Sequence, residues 1–441
     1  MIAKEEIGKF YVKEDENIFA DKLGLKYFTK VSENESEECS VGEAIPAWFQ
    51  DEKNFNKALS NSFLEIHPMT AEIIPSLLCP FRCEQCSYRP QKEKMGIWDK
   101  KNEGNTAELL MSRETMRNAL NSLEAVGTRH IIFTGGGEPL SNKDVLFYGI
   151  RKATEKNMEI CLYTNALLLT KDAVNELISS SVKVCRISIY GANPEGFTNY
   201  TKCQKENYNT IFNNIRNLVI EKVRRNSDLQ VSLSFLLHPQ MYNNGANISF
   251  LDLLKEKIGE EYVKHISSVR FTPAIDYYSD TQIDKDFFEA MFEKVESEKD
   301  AALTYGIVFK NYTHRLQDMY GSKKYDRCLA CGLYAEIGPD GSMYQCCEKL
   351  FLSEYKIGNI NEDSIAHIYA SNVRKKVVQY VDHNIKSCPS VCKPHEANKQ
   401  YQNFVEIKDD ERALMLLWRY QKLNEQSYIN DAFGKFNYFE S

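Results

Sequence analysis

No apolar run in this 441-residue chain approaches the roughly 20 residues needed to cross a bilayer, so no membrane partner is expected. The opening stretch, MIAKEEIGKFYVKEDENIF, is charged throughout and lacks the apolar h-region of a secretion signal, which makes a cytoplasmic chain the expectation. Positive charge is not in surplus either. The formal net charge is −7, so no nucleic-acid partner is expected. The densest basic cluster in mid-chain, Lys222, Arg224 and Arg225, falls at the end of a predicted helix, where a solvated cap suits it. There are no clear repeats and no low-complexity linkers. Hydrophobic residues make up 43%, enough for a large core in two or three domains, or in one large barrel with additions.

What the chain does have is cysteine. A reducing compartment disfavours structural disulfides, so the 13 cysteines need another use. Cys79, Cys83 and Cys86 crowd one short loop, and Cys328, Cys331, Cys346, Cys347, Cys388 and Cys392 form a second group. Clustered thiols of this kind point to metal ligation.

Residues 1–70 are acidic and irregular, with SENESEEC as an exposed loop and Pro46 to Phe49 as a packing anchor. A different rhythm begins near residue 71. AEIIPSLL reads as a strand leading into the first cysteines, and a polar loop follows. A helix is then predicted from its Ser112 N-cap, with Met116, Ala119, Leu120 and Leu123 on one face and Gly127 as its stop. HIIFT, from His130 to Thr134, is the second strand and ends in GGGEP. Helices near 144–156, 171–179 and 208–223 alternate with strands near 159–165, 183–190, 230–237 and 268–274. This alternation predicts an α/β fold, a partial (β/α)6 TIM-like barrel short of the eight units of a complete one. The unusual residues fall at the C-terminal ends of the strands, where such folds do chemistry. The segment 284–302 reads as a helix leading out of the barrel, and a helix near 410–423 as packing on the main body.

CPFRCEQC spaces Cys79, Cys83 and Cys86 as C-x3-C-x2-C. Iron–sulfur clusters ordinarily take four thiolates, so three on one loop leave one iron open to a small molecule. A zinc site lacking its fourth ligand is the competing reading, but zinc loops favour paired CxxC or downstream histidines. Together with GGGEP one βα unit later and the strand rhythm over 71–274, these residues resemble the radical S-adenosylmethionine superfamily. The resemblance implies a [4Fe–4S] cluster on Cys79, Cys83 and Cys86 whose open iron chelates S-adenosylmethionine. It also implies S-adenosylmethionine contacts from Gly135, Gly136, Gly137 and Glu138. The glycines would admit a close ligand, and Glu138 would accept from its ammonium. Thr164, Asn165 and Ser188 are further candidate contacts, Ser188 for the ribose. Gln85 stands where the family usually has an aromatic or apolar residue near the adenine, and Tyr88 is the candidate to replace it.

In the second group, Cys331, Gly341 and Cys346 meet a C-x9-G-x4-C spacing, with Pro339-Asp340-Gly341 as the turn between two short strands. The pattern resembles the SPASM/Twitch extension of the same enzymes, and a zinc site competes for it. Six cysteines rather than seven favour one auxiliary [4Fe–4S] cluster. Cys331, Cys346, Cys388 and Cys392 are its first-choice ligands, with Cys328 competing with Cys331 and Cys347 with Cys346. Cys161 and Cys185 lie inside strands as small hydrophobes, and Cys203 is a candidate catalytic hydrogen donor.

The expected organisation is an N-terminal extension over 1–70, the barrel over 71–305, a cysteine-rich Twitch/SPASM-like domain over 306–400 and a tail over 401–441. The expected activity is that of an oxidoreductase, in which a 5′-deoxyadenosyl radical abstracts hydrogen from a small sugar, aminocyclitol or nucleoside. A ribosomally made peptide, or a protein to be activated, is the alternative substrate. A flavodoxin or ferredoxin is the expected electron donor.

Overall fold

The computed structural model describes residues 52–60, 62–83, 85–89, 92, 109–242, 249–274, 284–311, 323, 325–388, 392–407 and 409–411. The acidic section before residue 52, with Cys39, and the predicted helix near 410–423 beyond residue 411 lie outside the described residues.

Strands β1 (Thr70–Ile73), β2 (His130–Phe133), β3 (Glu159–Thr164), β4 (Val182–Tyr190), β5 (Gln230–Leu237) and β6 (Ser268–Pro273) pair in sequence order, each parallel to the last. The short runs of β1 and β2 are buried on both faces, as a parallel sheet covered on both sides requires. β1 is shorter than the AEIIPSLL pattern predicts, because Pro75 has no N–H to continue the ladder. The helix after it, α1 (Arg113–Ala125), starts where expected. Ser112 Oγ accepts from the Thr115 N–H at 3.0 Å, and Met116, Ala119, Leu120 and Leu123 are buried. Gly127 ends that turn with a φ of +84°, a value only glycine takes without strain.

Two features differ from the expectation. The helix over Lys285–Thr304 is a crossover rather than an exit, returning the chain to a seventh parallel strand, β7 (Val308–Asn311), beside β6. The cysteine-rich part is also not a separate layer. Its first strand, β8 (Tyr334–Ile337), adds in parallel to β1, and β9 (Ser342–Tyr344) and β10 (Lys356–Asn359) continue antiparallel. One ten-stranded sheet results, in the order β10-β9-β8-β1-β2-β3-β4-β5-β6-β7. The predicted hairpin is present. Gly341, at a φ of +84°, donates its N–H to the Gly338 carbonyl at 3.0 Å, and the Asp340 carboxylate takes the Ser342 N–H and hydroxyl.

Alternation along the strands separates two faces. Ala71, Ile73, Ile131, Phe133, Ile160 and Leu162 pack under the helices in the main core. Ile132, Cys161 and Val184 form a small cluster of their own on the other face. In register, that row runs on through Glu72 to Glu336. Arg186, Ser232, Ser234 and Arg270 fall on this second face too, so the inner wall of the barrel is polar along β4 to β6.

Candidate active site

The two motifs of the first site are joined through the backbone. β1 delivers Cys79, and β2 delivers the glycine turn beside it. The Glu138 N–H donates to the carbonyl of Leu78, the residue before Cys79, at 2.8 Å. A Cβ on Gly137 would overlap the Leu77–Leu78 backbone, and one on Gly136 would stand 2.7 Å from Leu77 Cδ2. The glycines therefore serve first to let the turn lie flat on the loop that carries the thiols. The geometry demands a close approach of the turn to the chain itself.

Glu138 lies inside the turn. Its carboxylate is 2% exposed and engaged internally. Oε1 accepts from the Thr164 hydroxyl at 2.7 Å and the Leu140 N–H at 3.1 Å, and Oε2 accepts from the Asn165 N–H at 2.8 Å. It braces the end of β3 against the turn. Burial pushes it well above the ordinary carboxylate range, to about 7, against the pull of those three donors.

Thr164 is spent on that brace, while Asn165 reaches on. Its Nδ2 lies 3.7 Å from Cys79 Sγ, an N–H···S contact to the cluster loop. Burial pushes Cys79 up to about 11 and Cys83 up as well, so ligation itself must draw off their protons. Ser188 lies within β4, on the inner face, two residues before Tyr190. Tyr190 was not singled out from the sequence, although it ends the strand beside the loop. Phe81 meets its ring edge-on at 5.5 Å. Tyr88 packs against Phe351 with ring centroids 6.0 Å apart, turned toward the cysteine-rich part. Cys203 stands near the loop, since the Arg82 N–H donates to the Thr201 carbonyl at 2.8 Å. Its thiol is held by Asn207 Nδ2 at 3.1 Å.

The second cysteine group converges. Cys328 and Cys331 sulfurs are 2.8 Å apart, and Cys346 lies within hydrogen-bond reach of both Cys331 and Cys347. Cys388 and Cys392 are close enough to feel the charges of Cys328 and Cys346. Asn398 Nδ2 donates to Cys328 Sγ at 3.3 Å and Lys323 Nζ to Cys392 Sγ at 3.5 Å. Hydrogen bonds and charge of this kind steady thiolates. Two buried carboxylates border this group and were missed in the sequence. Lys393 Nζ closes on Glu72, whereas both oxygens of Glu336 are buried with no hydrogen-bond partner among the described residues. A charged residue inside an otherwise buried strand, as in TAEI and YAEI, was the available signal.

Both donor sets suit iron–sulfur clusters. The described cysteines are all free thiols, and soft thiolates favour such clusters. Among the described residues no three His, Cys, Asp or Glu side chains converge as they would on one ion. A cluster, by contrast, holds its thiolates at separate corners. Residues 73–239 match the family model for the radical SAM superfamily, and residues 313–394 match that of an iron–sulfur cluster-binding domain, SPASM. The chain carries a radical SAM domain. Among curated proteins it is similar to an AdoMet-dependent heme synthase of Methanosarcina barkeri, 31% identical over 90 residues, which is 20% of this chain and 25% of that one. It is also similar to a PqqA peptide cyclase of Rhodopseudomonas palustris, 30% identical over 114 residues, 26% of each chain. Each match thus spans about a quarter of the curated relative. Among solved structures, SuiB of Streptococcus suis bound to S-adenosylmethionine superposes with a TM-score of 0.52 at 14% identity, covering 74% of this radical SAM chain and 72% of that one. Among the described residues no helix is long and apolar enough to cross a membrane.

Proposed function

We propose that this radical SAM protein binds S-adenosylmethionine at the Cys79–Cys83–Cys86 loop, cleaves it reductively and abstracts hydrogen from a ribosomally made peptide. The observation that carries the first part is the stitching of a three-thiol loop to a glycine turn through Glu138 and Leu78. A [4Fe–4S] cluster bound there supplies the electron that splits the sulfonium and frees a 5′-deoxyadenosyl radical. The chain's own residues set the geometry. Cys79, Cys83 and Cys86 would hold three corners, and the turn at Gly135 to Gly137, stitched to their loop, would border the ligand. Glu138 fixes that turn from behind through Thr164 and Asn165. Ser188 and Tyr190 face the inner side, where the ribose and substrate would lie. We further propose one auxiliary cluster on four of Cys328, Cys331, Cys346, Cys388 and Cys392, and a flavodoxin or ferredoxin as donor.

The peptide reading rests on the similarity to a peptide cyclase over 114 residues. The second reading, a small polyhydroxylated substrate, is favoured by the six cysteines of the second group. Anoxic incubation with deuterated candidates separates them. The peptide reading requires deuterium in 5′-deoxyadenosine from a peptide encoded beside the gene. Transfer only from a sugar or cyclitol would replace it.

Replacing Cys203 by Ala is expected to leave both 5′-deoxyadenosine and product yields unchanged, because its thiol is held by Asn207. A fall in product with 5′-deoxyadenosine intact would instead assign hydrogen return to this thiol.

A further inference from the structure

Phe351 follows the short turn Cys347–Lys349, and its φ is +66°, a left-handed conformation that residues with a Cβ avoid. Such backbone persists only where packing over-determines it. Here the ring does so by leaving its own domain. Its Cε2 and Cζ lie 2.9 and 3.2 Å from the point where a Cβ on Gly136 would stand, and Leu77 Cδ2 lies 2.7 Å from the same point. Gly136 is thus held between the cluster loop and a ring from the cysteine-rich part. The same ring meets Tyr88 edge-on at 6.0 Å and Tyr344 at 5.6 Å. One side chain therefore touches the glycine turn and the first cysteine loop together, and it is anchored immediately after Cys346 and Cys347.

We propose that Phe351 is a positioning residue for S-adenosylmethionine. Its ring holds the back of the glycine turn, so that ordering of the segment after Cys346 and Cys347 and binding of S-adenosylmethionine reinforce one another. The inference rests on the reading of that turn as the S-adenosylmethionine site, and coupling of this kind is reciprocal. It also accounts for Tyr88, which packs on Phe351 as part of the same strut.

The test uses the full chain reconstituted anoxically with iron and sulfide, with S-adenosylmethionine itself as the probe. Phe351→Gly removes the ring while suiting the left-handed backbone. Its dissociation constant for S-adenosylmethionine is expected to rise about tenfold, the scale of one lost aromatic contact. Iron per chain should stay near wild type, while the ligand-free melting temperature should fall by a few degrees from the lost packing. The change that S-adenosylmethionine causes in the EPR signal of the reduced first cluster should weaken in parallel, and Phe351→Tyr should restore both. Phe351→Leu, which keeps part of the bulk, should fall between and serves if the glycine variant folds poorly. Wild-type affinity in both Phe351→Gly and Phe351→Leu would overturn the inference. No binding by the wild type would instead overturn the reading of the turn.

Discussion

Replacing Cys83 by Ala is expected to abolish S-adenosylmethionine cleavage and to lower iron from about eight to about four per chain, counting four irons per cluster. The loop has no spare thiol. Cys79, Cys83 and Cys86 are its three sulfurs, and the nearby Cys203 is already held by Asn207. Replacing Cys392 by Ala should lower iron by the same amount yet leave measurable cleavage, because among the described residues the hydrogen bonds of Cys79 and Glu138 run to Asn165, Thr164, Leu140 and Leu78 and not to the second group. Iron quantitation beside a 5′-deoxyadenosine assay decides both. Loss of all iron in Cys83→Ala would show that the two sites do not load independently. Unchanged iron in Cys392→Ala would remove this thiol from the second ligand set.

The next largest effect falls on Glu138. Glu138→Ala leaves the Thr164 hydroxyl and the N–H groups of Leu140 and Asn165 without their acceptor in a buried site. At about 1–3 kcal/mol for each orphaned group, with some relaxation, a loss of roughly 3–5 kcal/mol is expected. Glu138→Gln is the sharper test. One oxygen can still serve Thr164 and Leu140, but the amide NH2 then points at the Asn165 N–H, donor against donor. About 2 kcal/mol should be lost although size is kept. The wild type carries a pH signature that Gln lacks. Burial raises the folded carboxyl to about 7, so this group's contribution is complete below the unfolded value and is lost as pH rises through about 7. Thermal melts from pH 5 to 8 should therefore show the wild type falling relative to Glu138→Gln. Parallel curves would mean that Glu138 stays ionised throughout.

Most of the barrel was legible because its signals are local. Short apolar strand runs, the Ser112 cap and the Gly127 stop each depend on a few adjacent residues, and each is found where expected. The three-thiol loop was legible for the same reason. What escaped depends on residues far apart in sequence. GGGEP reads as a ligand turn on its own, and only the fold shows Glu138 turned inward onto Thr164 and Asn165. The helix after β6 looked like an exit because Val308–Asn311 is too short to announce a strand until it lies beside β6. Gln85, unexplained in the sequence, remains so. Its side-chain oxygen is buried with no hydrogen-bond partner among the described residues, and nothing in the structure explains it.

The parallel pairing of β8 with β1 has a consequence for how the molecule is made. β1 emerges early from the ribosome, and its partner on one side, β8, only after the whole barrel. Until then β1 presents an open edge of unpaired amides and carbonyls, the kind of strand that templates aggregation. The segment that seals that edge also carries the second set of thiols. Completing the sheet and presenting those thiols for loading are therefore one late event in the life of the nascent chain.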